Sequence, residues 1–316
     1  MINIGIVGMG GMGQLYRRCF ETFDDCSVKA CVSSGIAEGI NVYRELDEMI
    51  SKEKLDVVCI CTPTFLHKDQ VIRCLEAEIN VICEKPLTFS ADDAKELYEK
   101  ARVNRCQLLT AFVVRFSDST RWLYDAVKQN RFGKVREAWF SRISPSPSWN
   151  SGLWSYDVKK SGHVPYDLHI HDLDLMIYLW GIPDSYKYES SGNPELPFKE
   201  HWWFYYSYKD FNVVSEAAWY KADIPFEASW RVNFDNALAI NRNGVVTLYE
   251  HGREPVEIKE NTKKQVESGF SVPASTMYTN ELRYFLDRIS GKVEEEIINA
   301  EDVINELDIL ESMLEA

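Results

Sequence analysis

The chain has 316 residues, of which 45% are apolar and 27% charged. That size and composition predict about two domains with a large buried core, and exclude a peptide-sized module or a disordered chain. Its 49 acids outweigh 35 bases for a net charge of −14, which argues against nucleic acid and anionic membranes as partners, since both demand clustered bases.

No window approaches the roughly 18 apolar residues of a membrane span, and Met1 to Gly5 runs into a strand pattern without a basic leader. A soluble, cytoplasmic protein is expected. In chain order, Ile2–Val7 reads as a strand, Met12–Phe23 as a helix and Val28–Val32 as a second strand. A third apparent strand, Ile40–Val42, follows within a few residues. Val57–Cys61, a helix over Leu66–Ala77, Val81–Cys83, a helix over Ala91–Ala101 and Gln107–Ala111 complete the alternation. Near-continuous apolar strands separated by amphipathic helices predict a doubly wound parallel α/β sheet over residues 1–118. The eight cysteines all fall in this stretch, with no CxxC pair and no spaced histidines. Reduced core thiols are expected, and no metal site.

After a helix near Ser119–Gln129 the pattern changes. Val135–Phe140, His201–Tyr208, Val213–Tyr220 and Ala228–Phe234 are aromatic and alternating, and Asn243-Gly244 lies between two further apolar runs as a hairpin turn. One helix is expected near Tyr166–Leu179, and two more, Ala274–Ile289 and Ala300–Leu314, close the chain. Residues 119–316 are therefore predicted to form an α+β domain with a large, mostly antiparallel open sheet, serving substrate binding and oligomerisation, with the last helices packing back on the first domain.

Gly8, Gly10 and Gly13 fill G-x-G-x-x-G directly after the first strand. Glycines at that spacing allow a tight turn, a close approach of the backbone to pyrophosphate, and close helix–strand packing. Gly11 and Met12 open the helix whose N-terminus would face the phosphates. At the end of the second strand, Ser33 and Ser34 stand where an acid would hold the ribose of NAD. Hydroxyls there tilt the cofactor slightly from NAD toward NADP, although no Arg follows immediately. Farther on, Glu84-Lys85-Pro86 ends a strand at the expected ligand crevice. Asp167 and His171 lie four apart on the predicted helix, so a carboxylate can orient an imidazole for acid/base work. His169, two residues from His171, is poorly spaced for sharing a metal with it.

The glycine turn, the Glu-Lys-Pro triplet and the Asp-x-x-x-His helix together resemble the glucose-fructose oxidoreductase / inositol dehydrogenase / rhizopine-catabolism (Gfo/Idh/MocA) family of NAD(P)-dependent oxidoreductases. The likeness extends to Thr62-Pro63-Thr64 with His67 and to Arg115-Phe116. It implies a Rossmann domain followed by a sheet domain that commonly forms oligomers, with Lys85, Asp167 and His171 as the catalytic set. Thr62, Pro63, His67 and Glu84 would join Lys85 around the cofactor. Two departures stand out. Family members usually place a helix after the second strand, where this chain has only a short link after Ser34, and His169 replaces a usual glycine.

The function so implied is hydride transfer between nicotinamide and a secondary alcohol or ketone of a sugar, inositol or related polyol. His171 would take the hydroxyl proton, Lys85 would stabilise alkoxide charge and Asp167 would orient His171. Candidates for the substrate pocket are Arg115, Trp149, Trp154, Tyr156, His163 and His169, because aromatic faces pack on sugar C–H groups. Two alternatives remain open: a non-catalytic dinucleotide sensor, or an enzyme acting on a non-sugar diol or carbonyl. The alternating aromatics Trp202 to Tyr206 cannot all face one core, which predicts a homodimer or homotetramer through the second sheet.

Overall fold

Strands that read as unbroken apolar runs need cover on both faces, and the first sheet supplies it. The computed structural model describes residues 1–147, 154–196, 198–258, 266 and 275–314. The chain divides into two compact units, Met1–Val113 with Lys263–Asp308, and Val114–Thr262 with Ile309–Ala316. The stretch 263–308, numbered with the second domain in the sequence reading but carrying closing helices expected to pack back on the first, groups with the first unit.

The first unit contains β1 (Ile2–Val7), α1 (Gly11–Phe20), β2 (Cys26–Val32), β3 (Asn41–Tyr43), α2 (Leu46–Lys52), β4 (Val57–Ile60), α3 (His67–Glu76), β5 (Asn80–Glu84), α4 (Ala91–Val103) and β6 (Leu108–Ala111). Its strands run parallel in the order β3-β2-β1-β4-β5-β6. The chain order therefore reverses between β1 and β4, and in such sheets ligands bind outside the strand ends at that reversal. β4 is buried at every position, as the apolar run predicts for a strand covered on both faces. The thiols of Cys59 and Cys83 are buried here, and burial pushes both well above the usual thiol range, which leaves them unreactive packing groups. No helix separates β2 from β3. Helix α2 is an addition to the sequence reading: only Leu46 and Met49 are buried in it, too few to print a visible stripe.

The second unit contains α5 (Asp118–Lys128), β7 (Val135–Pro145), α6 (Val158–Ser161), a π-helical stretch at Pro165–His169, α7 (Ile170–Trp180) and β8 (Ser185–Ser191). The sheet continues through β9 (His201–Tyr208), β10 (Phe211–Tyr220), β11 (Glu227–Phe234), β12 (Ala237–Arg242), β13 (Val245–Glu250) and β14 (Val256–Ile258). Its order is β14-β13-β12-β11-β7-β10-β9-β8. Every described pairing is antiparallel except β7 with β10. Asn243 and Gly244 turn between β12 and β13 with φ of 49° and 92°, the left-handed pair that a two-residue hairpin requires. Along β9 the even positions Trp202, Phe204 and Tyr206 are buried, while Trp203 and Tyr205 keep partial exposure. Two helices close the chain, α8 (Met277–Ile289) and α9 (Ala300–Glu311). Helix α8 packs on α1 within the first unit, where Arg283 pairs with Asp25 at 2.7 Å. Hydrogen bonds from Arg283 and Lys292 pull the Asp25 carboxyl down to about 2.

Two buried ion pairs fix α7 inside the second unit. Arg115 joins Asp174 at 2.7 Å and Arg142 of β7 joins Asp172 at 2.8 Å, all four side chains being nearly inaccessible. The Arg115 guanidinium also lies 4.6 Å above the Tyr178 ring, which itself stacks on Tyr124 of α5 at 4.3 Å. Removing one member of such a pair strands a buried charge at a cost of about 3–5 kcal/mol.

Candidate functional site

The first unit's site begins at the glycine turn. Gly8 adopts φ of +90°, and a Cβ there would meet the Cys61 carbonyl oxygen at 2.8 Å and Thr62 Cγ2 at 3.0 Å. The ends of β1 and β4 therefore touch, and only glycine fits. A Cβ on Gly13 would lie 2.0 Å from the Gly8 carbonyl oxygen, whereas one on Gly10 would meet nothing within 4 Å. Two glycines thus serve packing, and the third leaves open space beside the start of α1. Gly10 is the N-cap of α1 and no side chain caps that end. The first-turn N–H groups of Gly11, Met12 and Gly13, with the positive end of the helix dipole, suit an anion. This cradle fits the pyrophosphate of a dinucleotide, in the positions the spacing predicts.

Beside it is a cleft of about 500 Å³ lined in part by Met9, Gln14, Arg17, Arg18, Ser33 and Ile36. Sequence reasoning named Ser33 and Ser34 here but missed the arginines. Arg17 and Arg18 stand on α1 behind the glycine turn, and Arg44 Nη1 reaches the Ser33 carbonyl at 2.9 Å. Helical position could have revealed the first two, while Arg44 arrives through β3.

Thr62 and Lys85 sit on loops after neighbouring strands, and His67 ties those loops together. Its Nδ1 lies 2.9 Å from the Pro86 carbonyl and its Nε2 lies 2.8 Å from the Thr62 carbonyl. Burial pushes the His67 pKa down, against the pull of those carbonyls. A neutral ring can donate to only one carbonyl at a time. Since both nitrogens face protein, the expected direct contact of His67 with cofactor gives way to a bracing role. Thr62 Oγ1 donates to Gln70 Oε1 at 2.6 Å, and Pro63 beside it keeps partial exposure. Glu84 and Lys85 are also half-buried. Desolvation raises the Glu84 carboxyl, opposed by the Tyr16 hydroxyl and the neighbouring Lys85 charge.

The second unit's site is the π-helical stretch leading into α7. From Ser161 to Ile177 every residue is buried except Asp167 and His171. These two residues, singled out by spacing, therefore share the only face that reaches solvent. A π-turn within a helix often marks a functional position.

The other candidates are placed differently. Arg115 is 1% exposed and committed to Asp174, so it does not present its charge to a substrate. His169 is 0% exposed. Its ring stacks on Phe204 with centroids 3.5 Å apart, and its nitrogens face Tyr206 Oη at 2.6 Å and Ser215 Oγ at 3.3 Å. It is a core group, held neutral by burial, which pushes its pKa well down. His163 has φ of +54° and is buried near Phe198 and Trp219, with ring centroids 5.5 and 6.4 Å away. Its Nε2 has no hydrogen-bond partner, which keeps it a candidate polar contact. Trp154 is half-buried in a 3-10 turn with Tyr156, and Tyr156 packs 5.1 Å from Phe198. Trp149 lies outside the described residues.

A parallel sheet of this order carrying a glycine cradle at its switch point defines a dinucleotide-binding Rossmann unit. The chain belongs to the GFO/IDH/MocA family: residues 2–112 match its oxidoreductase domain with NAD-binding Rossmann fold, and residues 120–237 match its C-terminal domain. The myo-inositol 2-dehydrogenase of Thermotoga maritima is 28% identical over 189 residues, 57% of this chain and 55% of that protein. The 2,7-anhydro-N-acetylneuraminate hydratase of Escherichia coli is 27% identical over 194 residues, 58% of this chain and 51% of its own. The chain thus spans about half the length of the curated relatives it matches. Among solved structures, the UDP-N-acetylglucosamine 3-dehydrogenase of Acidithiobacillus ferrooxidans superposes with a TM-score of 0.80 over 99% of both chains at 17% identity. The likeness there is of fold.

The three glycines can be separated by experiment. Gly13→Ala should destabilise the protein by about 1–3 kcal/mol in urea unfolding, because its Cβ overpacks the Gly8 carbonyl. Gly10→Ala should unfold with the wild type yet bind NAD(P)H about tenfold more weakly in a fluorescence titration. Unchanged binding by Gly10→Ala would remove the cradle assignment.

Proposed function

We propose that the protein is an NAD(P)-dependent oxidoreductase that interconverts a secondary alcohol and a ketone on a sugar, inositol or related polyol. The observation that carries this reading is the pairing of Asp167 and His171 as the only solvent-reaching residues of a buried helical entry. An acid/base pair has to meet substrate, and a purely structural pair does not. When bound, the nicotinamide supplies a hydride acceptor or donor. His171 accepts the hydroxyl proton on a ring nitrogen, a task an imidazole can perform as general base. Asp167 orients that ring. Lys85 Nζ donates to the substrate oxygen as negative charge develops on it. The polyol class draws support from relatives named for inositol and for a sialic-acid derivative.

For the cofactor, the preference we favour is NADP over NAD. Ser33 replaces a carboxylate that would repel a 2′-phosphate, and Arg18 and Arg44 lie near the end of β2, while Arg17 beside them is paired with Glu21 at 2.9 Å. For assembly, we favour a homodimer or homotetramer through the outer face of the second sheet, where Trp139, Trp203, Tyr205 and Ile240 remain half-exposed. A second copy of this chain is the occupant we favour for a face that mixes these rings with the Arg231–Glu137 ion pair.

His171→Ala and Lys85→Ala should each lower turnover at least a hundredfold on the best polyol or ketose found at 340 nm, with NADPH affinity retained. Near-normal turnover in either variant would overturn its role. In the same titrations NADPH should bind more tightly than NADH, and the reverse order would end the NADP preference. Sedimentation at micromolar concentration should show a dimer or tetramer that Trp203→Glu dissociates, and a monomeric wild type would refute the interface.

A further inference from the structure

The His169 ring is gripped on its face and at both nitrogens by one patch of the second sheet. Phe204 of β9 pairs with Ser215 of β10 across the ladder, and Tyr206 stands two residues along β9 on the same face. All three are buried. Phe204 stacks on the imidazole with centroids 3.5 Å apart and planes 4° from parallel. Tyr206 Oη lies 2.6 Å from Nε2, and Ser215 Oγ lies 3.3 Å from Nδ1. A neutral imidazole has one N–H and one lone pair, and a hydroxyl can match either. The ring is therefore fixed in position and in rotation.

Packing alone does not call for such a receptor. An apolar side chain on Phe204 would exclude water as well, without two hydroxyls that must each find a partner in a dry interior. What the stack and the two hydrogen bonds add is direction, and direction matters for the backbone that carries the ring. His169 ends the π-helical stretch Pro165–His169, where Ile170 N donates back to the Pro165 carbonyl. That bond closes a turn one residue wider than an α-turn, with Asp167 and His169 both inside it. In an α-helix of 3.6 residues per turn, two residues four apart overshoot a full turn. A wider turn takes up the excess and brings Asp167 into line with His171.

We propose that His169 is a positioning residue: clamped by Phe204, Tyr206 and Ser215, it holds the π-turn that aligns Asp167 with His171. This rests on the acid/base reading of that pair and goes beyond it by naming what sets the alignment. His169 itself touches neither substrate nor cofactor, and it acts through the turn it closes.

The test reads the His171 ring directly and needs no substrate. Its titration is followed by NMR at the Cε1–H proton, identified among the six histidines by its loss in His171→Ala. An aligned carboxylate favours the protonated imidazole, so Asp167→Asn should lower the midpoint by about one pH unit. Tyr206→Phe with Ser215→Ala removes only the two oxygens and keeps the Phe204 stack. That double variant should lower the midpoint in the same direction, by about a third of the Asp167→Asn shift or more. Tyr206→Phe alone should give a smaller shift of the same sign, and it decides the matter should the double variant not fold. A role confined to packing would lower the urea midpoint of these variants and leave the His171 titration as in the wild type, which would overturn the proposal. If Asp167→Asn leaves His171 unmoved, the acid/base pairing fails and the positioning role with it. If Asp167→Asn moves it and the clamp variants do not, only the positioning role fails.

Discussion

The close approach of α1 to the end of β1 is the constraint on which the first unit depends. With 2.0 Å between a would-be Cβ on Gly13 and the Gly8 carbonyl oxygen, the helix can descend to the strand only because no side chain intervenes. That descent aims the unfilled N–H groups of α1 at the mouth of the sheet, where the strand order reverses between β1 and β4. The same closeness presses Gly8 against the loop at Cys61 and Thr62. His67 then carries the constraint outward, joining the Thr62 carbonyl to the Pro86 carbonyl beside Lys85. A phosphate cradle and a lysine-bearing loop are thus placed by one chain of contacts inside a single unit.

What the sequence made legible follows from the range of the interactions concerned. The parallel sheet, the glycine turn, the short link after Ser34 and the Asn243-Gly244 hairpin are written in neighbouring residues, and each stands where its local pattern places it. Helix α2 and edge strand β8 were invisible. The first buries two side chains, and the second has no fully buried position, so neither prints the periodicity that reveals an amphipathic element. The return of the closing helices to the first unit was expected, but the contacts that secure it, such as Arg283 with Asp25, are long-range and no local pattern announces them.

The candidate site was legible to the same degree. Spacing identified Asp167 and His171, and burial then isolated them. It also nominated Arg115 and His169, which carry suitable chemistry and lie close in sequence to the motif residues, yet both are spent inside the second unit. A lone charged or imidazole side chain in sequence does not reveal whether its partner is a ligand or a distant residue. For Arg115 the partner is Asp174, and for His169 it is the Phe204 ring with Tyr206 and Ser215.

Those buried polar groups still bear on the proposed chemistry. A helix with only apolar contacts can slide or rotate among packings of similar energy, since hydrophobic burial is non-directional. Helix α7 instead carries Asp172 and Asp174, each held by a different arginine from a different element, Arg142 on β7 and Arg115 ahead of α5. Two directional bonds on opposite attachments fix both the rotation and the axial position of the helix. His171 lies directly before Asp172, so the side that reaches solvent is set by bonds made on the sides that do not. His169, fixed by stacking on Phe204, anchors the preceding π-turn and with it Asp167. The exposure of the acid/base pair is in this sense a product of the interior, and two of the residues that sequence reasoning assigned to substrate, Arg115 and His169, are among those that hold the pair in place.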